Sequence, residues 1–189
     1  KYLSSGAIKG IGEALATRIV KKFGDDTFRI MEEEPERLAE VKGISMRKAL
    51  EISGAVAGKR DLRQAMLFLQ QYGITQNLGM KIYNFYQGRL YQVIRENPYK
   101  LADDIDGVGF RIADEIASKA GILPDSDFRI RSGILYVLEQ ATGQGHTCLP
   151  MDQLMQEARR LLGVEIDSMN DRIMDLIMDK KIVVKTKED

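Results

Sequence analysis

At 189 residues the chain is long enough for one large or two small domains, and its 28 basic and 28 acidic side chains leave no overall field to draw it to nucleic acid. The single Cys148 cannot close an internal disulfide and, with the single His146, makes no zinc set; this excludes the disulfide-stapled and zinc-stapled classes and points to a reducing cytoplasm. No apolar run reaches the ~18 residues of a membrane span, no signal peptide is evident, and the opening at Lys1 without Met reads as an excised fragment.

Charge is uneven along the chain. Residues 1–60 carry 12 basic and 9 acidic side chains, 61–127 carry 7 and 9, and 128–189 carry 9 and 10, so any basic surface is local and lies in the first third. After a short segment from Tyr2 to Ile8 the chain reads Lys9-Gly10-Ile11-Gly12, and a helix is predicted from about Gly12 to Phe23, ended by Gly24. Asp25 or Asp26 caps a second helix to about Glu33, and Pro35 opens a third whose Leu38 and Val41 lead into Lys42-Gly43-Ile44-Ser45. A further helix, carrying Arg47 and Lys48, runs to about Ala57. The run Glu32-Glu33-Glu34 reads as a solvated face.

From Asp61 to Tyr72 an amphipathic helix, with Leu62, Ala65, Met66 and Leu69 on one side, connects to a second half that repeats the first. Gly73-Ile74-Thr75 and Gly107-Val108-Gly109 restart helices there, and Pro98-Tyr99-Lys100-Leu101-Ala102 echoes Pro35-Glu36-Arg37-Leu38-Ala39. Tyr83, Phe85, Tyr86 and Tyr91 lie at helical spacing and are expected in the core rather than as base-stacking platforms.

One frame thus occurs four times. Six places after the first Gly comes a small residue (Ala16, Ala49, Gly79, Ala113), and nine places after it an Ile (Ile19, Ile52, Ile82, Ile116). The first Gly suits a turn with positive φ. The apolar residue after it plugs the turn, and the third residue (Gly12, Ser45, Thr75, Gly109) suits a helix N-cap. Units that recur in this way cannot bury their apolar faces alone and must pack on one another. A GxGxxG dinucleotide site is the rival reading of the glycines, but no strand precedes them.

After Pro124 the pattern changes. Asp125-Ser126-Asp127 caps a helix through Ile130, Ile134, Leu135 and Leu138, which Gly143-Gln144-Gly145 breaks. A helix at about 151–162 is expected to turn Met151, Leu154, Met155, Ala158 and Leu161 inward, and another runs from about Met169 to Lys180. Ile182-Val183-Val184 reads as a short strand that pairs with Thr147-Cys148-Leu149, giving a winged-helix-like unit. His146 reads as a turn residue and Cys148 as buried.

Helix, tight hairpin and helix, at the residues quoted, resemble the helix-hairpin-helix motif. In that family the amides at the hairpin hold a DNA phosphate, as helix N-termini hold anions generally. The predicted fold is therefore mainly α: tandem helix-hairpin-helix motifs in two pairs, residues 1–60 and 61–123 with its connecting helix, followed by a winged-helix-like domain at 124–189.

Further residues make the resemblance narrower. Tyr2-Leu3-Ser4-Ser5-Gly6, Ile8-Lys9-Gly10-Ile11-Gly12, Arg18-Ile19-Val20, Phe23-Gly24, Asn97-Pro98-Tyr99, Asp106-Gly107-Val108-Gly109-Phe110, Gly145-His146-Thr147 and Leu149-Pro150 together resemble the long-form RecD-like (RecD/TraA-type) DNA helicases, in the region that precedes the motor. The resemblance implies a parent enzyme that uses ATP and Mg²⁺ to move 5′ to 3′ along single-stranded DNA. This chain lacks a GxxxxGK[ST] phosphate loop, so it is expected to hold no cofactor and to hydrolyse no ATP. Its expected partners are DNA, single-stranded or forked, and the motor domains of the same chain, with no membrane. The expected DNA contacts are Lys9, Gly10, Ile11 and Gly12 in the first hairpin and Lys42, Gly43, Ile44, Ser45, Arg47 and Lys48 in the second, with the second pair chiefly structural. Two other readings compete: a structural or protein-docking module, and a DNA glycosylase in which Asp127, twenty residues after Gly107, is the catalytic carboxylate.

Overall fold

A computed structural model describes residues 3–5, 8–165 and 169–186. Tyr2 and Gly6 of the opening motif lie outside them. The described residues form ten α-helices joined by short 3₁₀ turns, with no strand: α1 (Glu13–Phe23), α2 (Thr27–Glu33), α3 (Met46–Gln70), α4 (Gln76–Tyr86), α5 (Leu90–Glu96), α6 (Lys100–Asp104), α7 (Phe110–Lys119), α8 (Asp127–Gly143), α9 (Met151–Leu162) and α10 (Met169–Met178). Contacts divide the chain into two compact units, Lys1–Phe68 and Leu69–Asp189, so the boundary falls in the last turn of α3.

The repeated frame dictates the core of both units. Gly10, Gly43, Gly73 and Gly107 all have φ between 74° and 98°, where any Cβ is strained. The residue after each (Ile11, Ile44, Ile74, Val108) is buried, as are the small residue and the Ile that follow. Gly12, Ser45, Thr75 and Gly109 each directly precede a helix, and the hydroxyls of Ser45 and Thr75 accept from the amides of Lys48 and Leu78 at 3.2 and 3.4 Å. In the first unit these positions join Leu3, Ile8, Phe23, Ile30, Met31, Leu38 and Val41 in one apolar cluster. Each such Ile contributes about 1.5–3 kcal/mol by leaving water.

Several expectations change. The helices expected at 45–57 and 61–72 are one 25-residue helix, α3, which runs through Gly54 and Gly58. A glycine costs a helix interior only about 1 kcal/mol, less than the burial of Ile52, Val56, Ala65 and Leu69 along it returns. Neither Asp25 nor Asp26 caps α2 by a side-chain bond; the chain makes a 3₁₀ turn over Gly24–Asp26, and the Thr27 hydroxyl donates back to the Gly24 carbonyl at 2.6 Å. Of the four aromatics expected in the core only Tyr86 is fully buried, and Phe85 is 52% exposed.

At the C-terminal end, Ser126 caps α8 by accepting from the Arg129 amide at 3.4 Å, and α8, α9 and α10 bury Ile130, Ile134, Val137, Leu154, Ala158, Leu162, Ile173 and Leu176. Gly133 lets α9 approach, since a Cβ there would meet Leu162 Cδ2 at 2.7 Å. Leu162 is buried where Leu161 was expected, and Met151 is exposed. The wing is not formed: residues 147–149 and 182–184 are not strands. The amides of Lys181 and Ile182 turn back to the Leu176 carbonyl at 2.9 and 3.4 Å, and Val183 is 81% exposed, so the β-branched run has no face to cover. Cys148 is exposed rather than buried.

Candidate nucleic-acid interface

The four hairpins share a backbone and differ in what surrounds it. In the first, a Cβ added to Gly10 or Gly12 would meet nothing within 4 Å, so the loop is open to close approach. Gly12 has no side chain with which to cap α1, and the first-turn amides of that helix have no side-chain acceptor among the described residues. Lys9 is exposed at the rim. This combination, bare amides at a positive helix end beside a lysine, suits an anion.

The second hairpin presents Lys42 and Gly43 to solvent, while Ser45 uses its oxygen on the Lys48 amide. Arg47 is exposed and only loosely paired with Glu51 at 3.4 Å. Lys9, Lys42 and Lys48 have no ion-pair partner among the described residues. The expected contacts Ile11 and Ile44 have buried side chains, and their amides donate within the turns to Ile8 and Val41 carbonyls at 3.2 and 3.0 Å. Both therefore shape the loops and offer an approaching phosphate neither a side chain nor an open amide.

Arg18 and Lys81 have a role that the sequence reading missed. Arg18 donates from Nη1 to the Lys42 carbonyl at 3.1 Å, and in the second unit Lys81 donates from Nζ to the Asp106 carbonyl at 3.3 Å. Each ties the first helix of a pair to the residue preceding the second hairpin's glycine. The signal was in the frame: eight places after the glycine stand Arg18, Glu51, Lys81 and Glu115, a cation in the first copy of each pair and an acid in the second. Lys22 on the same helix is likewise engaged, reaching the Glu40 carboxylate at 3.1 Å, whereas Lys21 has no ion-pair partner among the described residues.

The hairpins of the second pair differ in their surroundings: the fourth is open at Gly109, and a Cβ on Gly107 would meet only Lys81 Nζ at 3.9 Å. Lys119 lies over the third, where a Cβ on Gly73 would collide with its Nζ. At the fourth, Asp103 and Asp106 are exposed, while Asp104 accepts from the Tyr86 hydroxyl at 2.6 Å. Asp127 opens α8 and pairs with Arg172 at 3.1 Å, a contact that joins α8 to α10. Among the described residues no group of three or more His, Cys, Asp or Glu side chains could hold a metal ion, and no helix is long and apolar enough to cross a membrane.

A polar hub lies elsewhere in the second unit. Asp114 on α7 accepts from Arg129 Nε and Nη2 at 2.8 and 3.1 Å and from the Tyr99 hydroxyl at 2.6 Å, and Arg129 also donates to the Pro124 and Leu162 carbonyls at 2.9 and 2.8 Å. Burial, followed by the bond to Asp114, pushes the Tyr99 hydroxyl well above the usual phenol range; burial and Asp104 do the same for Tyr86.

Comparison with known proteins agrees with this geometry. Residues 58–148 match the family described as ATP-dependent RecD2 DNA helicase HHH domain, and residues 2–53 match the SAM-like Helix-hairpin-helix tandem. The chain is 26% identical over 144 residues to the ATP-dependent RecD2 DNA helicase of Deinococcus radiodurans, an alignment covering 76% of this chain and 20% of that protein. No solved structure matches.

Proposed function

We infer that this chain, which carries the helix-hairpin-helix region of a RecD-like DNA helicase, holds DNA by its phosphates through the hairpins at residues 9–12 and 42–48, with Ile11 and Ile44 shaping the loops rather than touching DNA, and without regard to sequence. The observation that carries this is the first hairpin: open glycines and uncapped amides beside a lysine with no ion-pair partner among the described residues. Amides and lysines read phosphate rather than base edges, so they position the nucleic acid and specify little. Residues 1–60 are the gripping pair in this reading, 61–123 a bracing pair, and 124–189 the lead towards the motor.

The parent protein is proposed to be a cytoplasmic, ATP-dependent 5′ to 3′ helicase whose motor, with its ATP and Mg²⁺, acts on single-stranded or forked DNA. This chain lacks the GxxxxGK[ST] phosphate loop, so in this reading the motor holds the nucleotide.

The test is fluorescence anisotropy of the chain with duplex DNA over a salt series. Lys9→Ala with Lys42→Ala is expected to weaken binding and to flatten the slope of log K against log salt by about 1–2 units as two phosphate contacts are lost. A duplex affinity that this pair leaves unchanged would overturn the assignment, and a chain that binds no DNA at any salt would favour a docking module.

A further inference from the structure

Tyr99, Phe110 and Tyr136 form a column of rings, with centroids 5.9 and 5.4 Å apart and planes inclined by 20° and 28°. The column does not end in the core. Tyr136 lines a groove of about 590 Å³ walled by α8, α9 and the turn after α8, a volume in the range of small-ligand sites. Arg111, from the first turn of α7, and Arg160, from α9, stand in its lining, exposed and without an ion-pair partner among the described residues. Gln140, Gln144 and Gln153 add amides that both donate and accept, and His146 adds an exposed imidazole. Glu157 is the one carboxylate against the two arginines.

We propose that this groove binds a segment of single-stranded DNA, with Arg111 and Arg160 on phosphates, the glutamine amides on base edges, and a base extending the ring column beyond Tyr136. Aromatic faces with flanking cations are the means by which single strands are held when bases are unpaired, whereas a duplex hides its base faces. The groove lies within the second unit, apart from residues 9–12 and 42–48, and its role rests on the reading of the chain as a DNA-binding region. It would give the chain separate grips for paired and unpaired DNA.

The experiment titrates the chain and its Arg111→Gln/Arg160→Gln variant into labelled oligo-dT of about 12 nucleotides and, separately, into duplex DNA. Expected is several-fold weaker single-strand binding with a salt slope flatter by about 1.4 units, and unchanged duplex binding. Both arginines are exposed, so the variant keeps its fold. Since the chain has no Trp, Tyr136→Trp supplies a single reporter, whose fluorescence oligo-dT should quench by stacking. Single-strand binding untouched by the arginine pair, or an indole blind to oligo-dT, overturns the proposal, and if duplex binding still depends on Lys9 and Lys42 the hairpin assignment survives. Loss of single-strand binding with a duplex affinity indifferent to Lys9 and Lys42 does the reverse.

Discussion

At the end of α1 the ring is Phe23, with Arg37 Cζ 5.6 Å and Lys22 Nζ 5.9 Å from its centroid; at the end of α4 the matching ring is Tyr86, whose hydroxyl donates to Asp104 Oδ2 at 2.6 Å and to the Lys100 carbonyl at 3.3 Å. The same substitution of roles runs through both pairs. In the first, charges stay at the surface: Glu34 takes Arg29 at 2.6 Å and Arg37 at 3.2 Å, Glu40 takes Lys22 and Arg37, and Glu32 takes Arg60 at 3.1 Å. In the second, polar side chains turn inward to Tyr86–Asp104 and to the Asp114 hub. One backbone frame thus supports a unit whose lysines face solvent at the hairpins and a unit whose polar groups hold it together.

The hub offers the largest break in that comparison. Asp114 follows its hairpin glycine by seven places, and the matching residue of the first pair, Leu50, is 56% exposed. Asp114→Ala leaves the Arg129 guanidinium, its side chain only 14% exposed, without its carboxylate. That should cost about 3 kcal/mol, while Leu50→Ala should cost less than about 0.5 kcal/mol. Urea unfolding of the two variants measures both; equal losses would mean that the two units are held alike.

Alkaline pH sharpens the same contrast. Tyr86 and Tyr99 have folded pKa values raised above the unfolded phenol value, chiefly by burial. The folded state therefore keeps protons that the unfolded state releases, so this stabilisation is complete below pH ~10 and is lost as pH rises beyond it. The loss steepens by up to about 1.4 kcal/mol per pH unit for each tyrosine. Tyr86→Phe, which installs the first pair's ring, should flatten the alkaline limb of stability against pH, and a limb identical to that of the parent would remove Tyr86 from the account.

Much of this architecture is legible in the sequence itself. The four glycines, their plugs, their caps and the buried Ala and Ile positions follow from local backbone needs repeated four times, so each copy checks the others. What was not readable depends on residues far apart in the chain. Arg129 and Asp114 are separated by 15 positions and their meeting is set by how α8 crosses α7; Arg18 lies 24 positions from the carbonyl that it holds. The run Ile182–Val184 had strand composition, yet strand formation needs a partner and a face to cover, and Val183 has neither among the described residues. At the candidate interface, the open glycines and exposed lysines were legible as types. That Lys22 is already committed to Glu40 was not.

A smaller effect tests the turn after the first helix of each pair. Gly24 has φ 53° and ψ −128°, and Gln87 at the matching place has φ 50° and ψ −134°, a region nearly closed to residues with a Cβ. Gln87→Gly should relieve strain and stabilise the chain by about 1 kcal/mol after the added flexibility of the unfolded chain is counted, and Gly24→Gln should destabilise it by a similar amount. Thermal melts of the two variants read the opposite signs directly, and shifts of one sign would mean that the turns differ.

The smallest expected effect belongs to the acid side and to the first pair. Hydrogen bonds from Arg29 and then Arg37 hold the Glu34 carboxyl below the usual carboxylate range, and Lys22 is the leading cause of the same shift at Glu40. With folded values depressed, the unfolded state takes up protons first as pH falls. Their contribution is whole above the unfolded value near pH ~4.3 and disappears as pH drops through the folded one. These pairs are exposed, so solvent and salt screen them and each is weak by nature. Melting temperature should therefore fall below pH ~4.5 by an amount that added salt reduces, and Glu34→Gln should reduce the fall while leaving the alkaline limb as it was. A fall of the same depth in high salt would remove these surface pairs from the account of acid sensitivity.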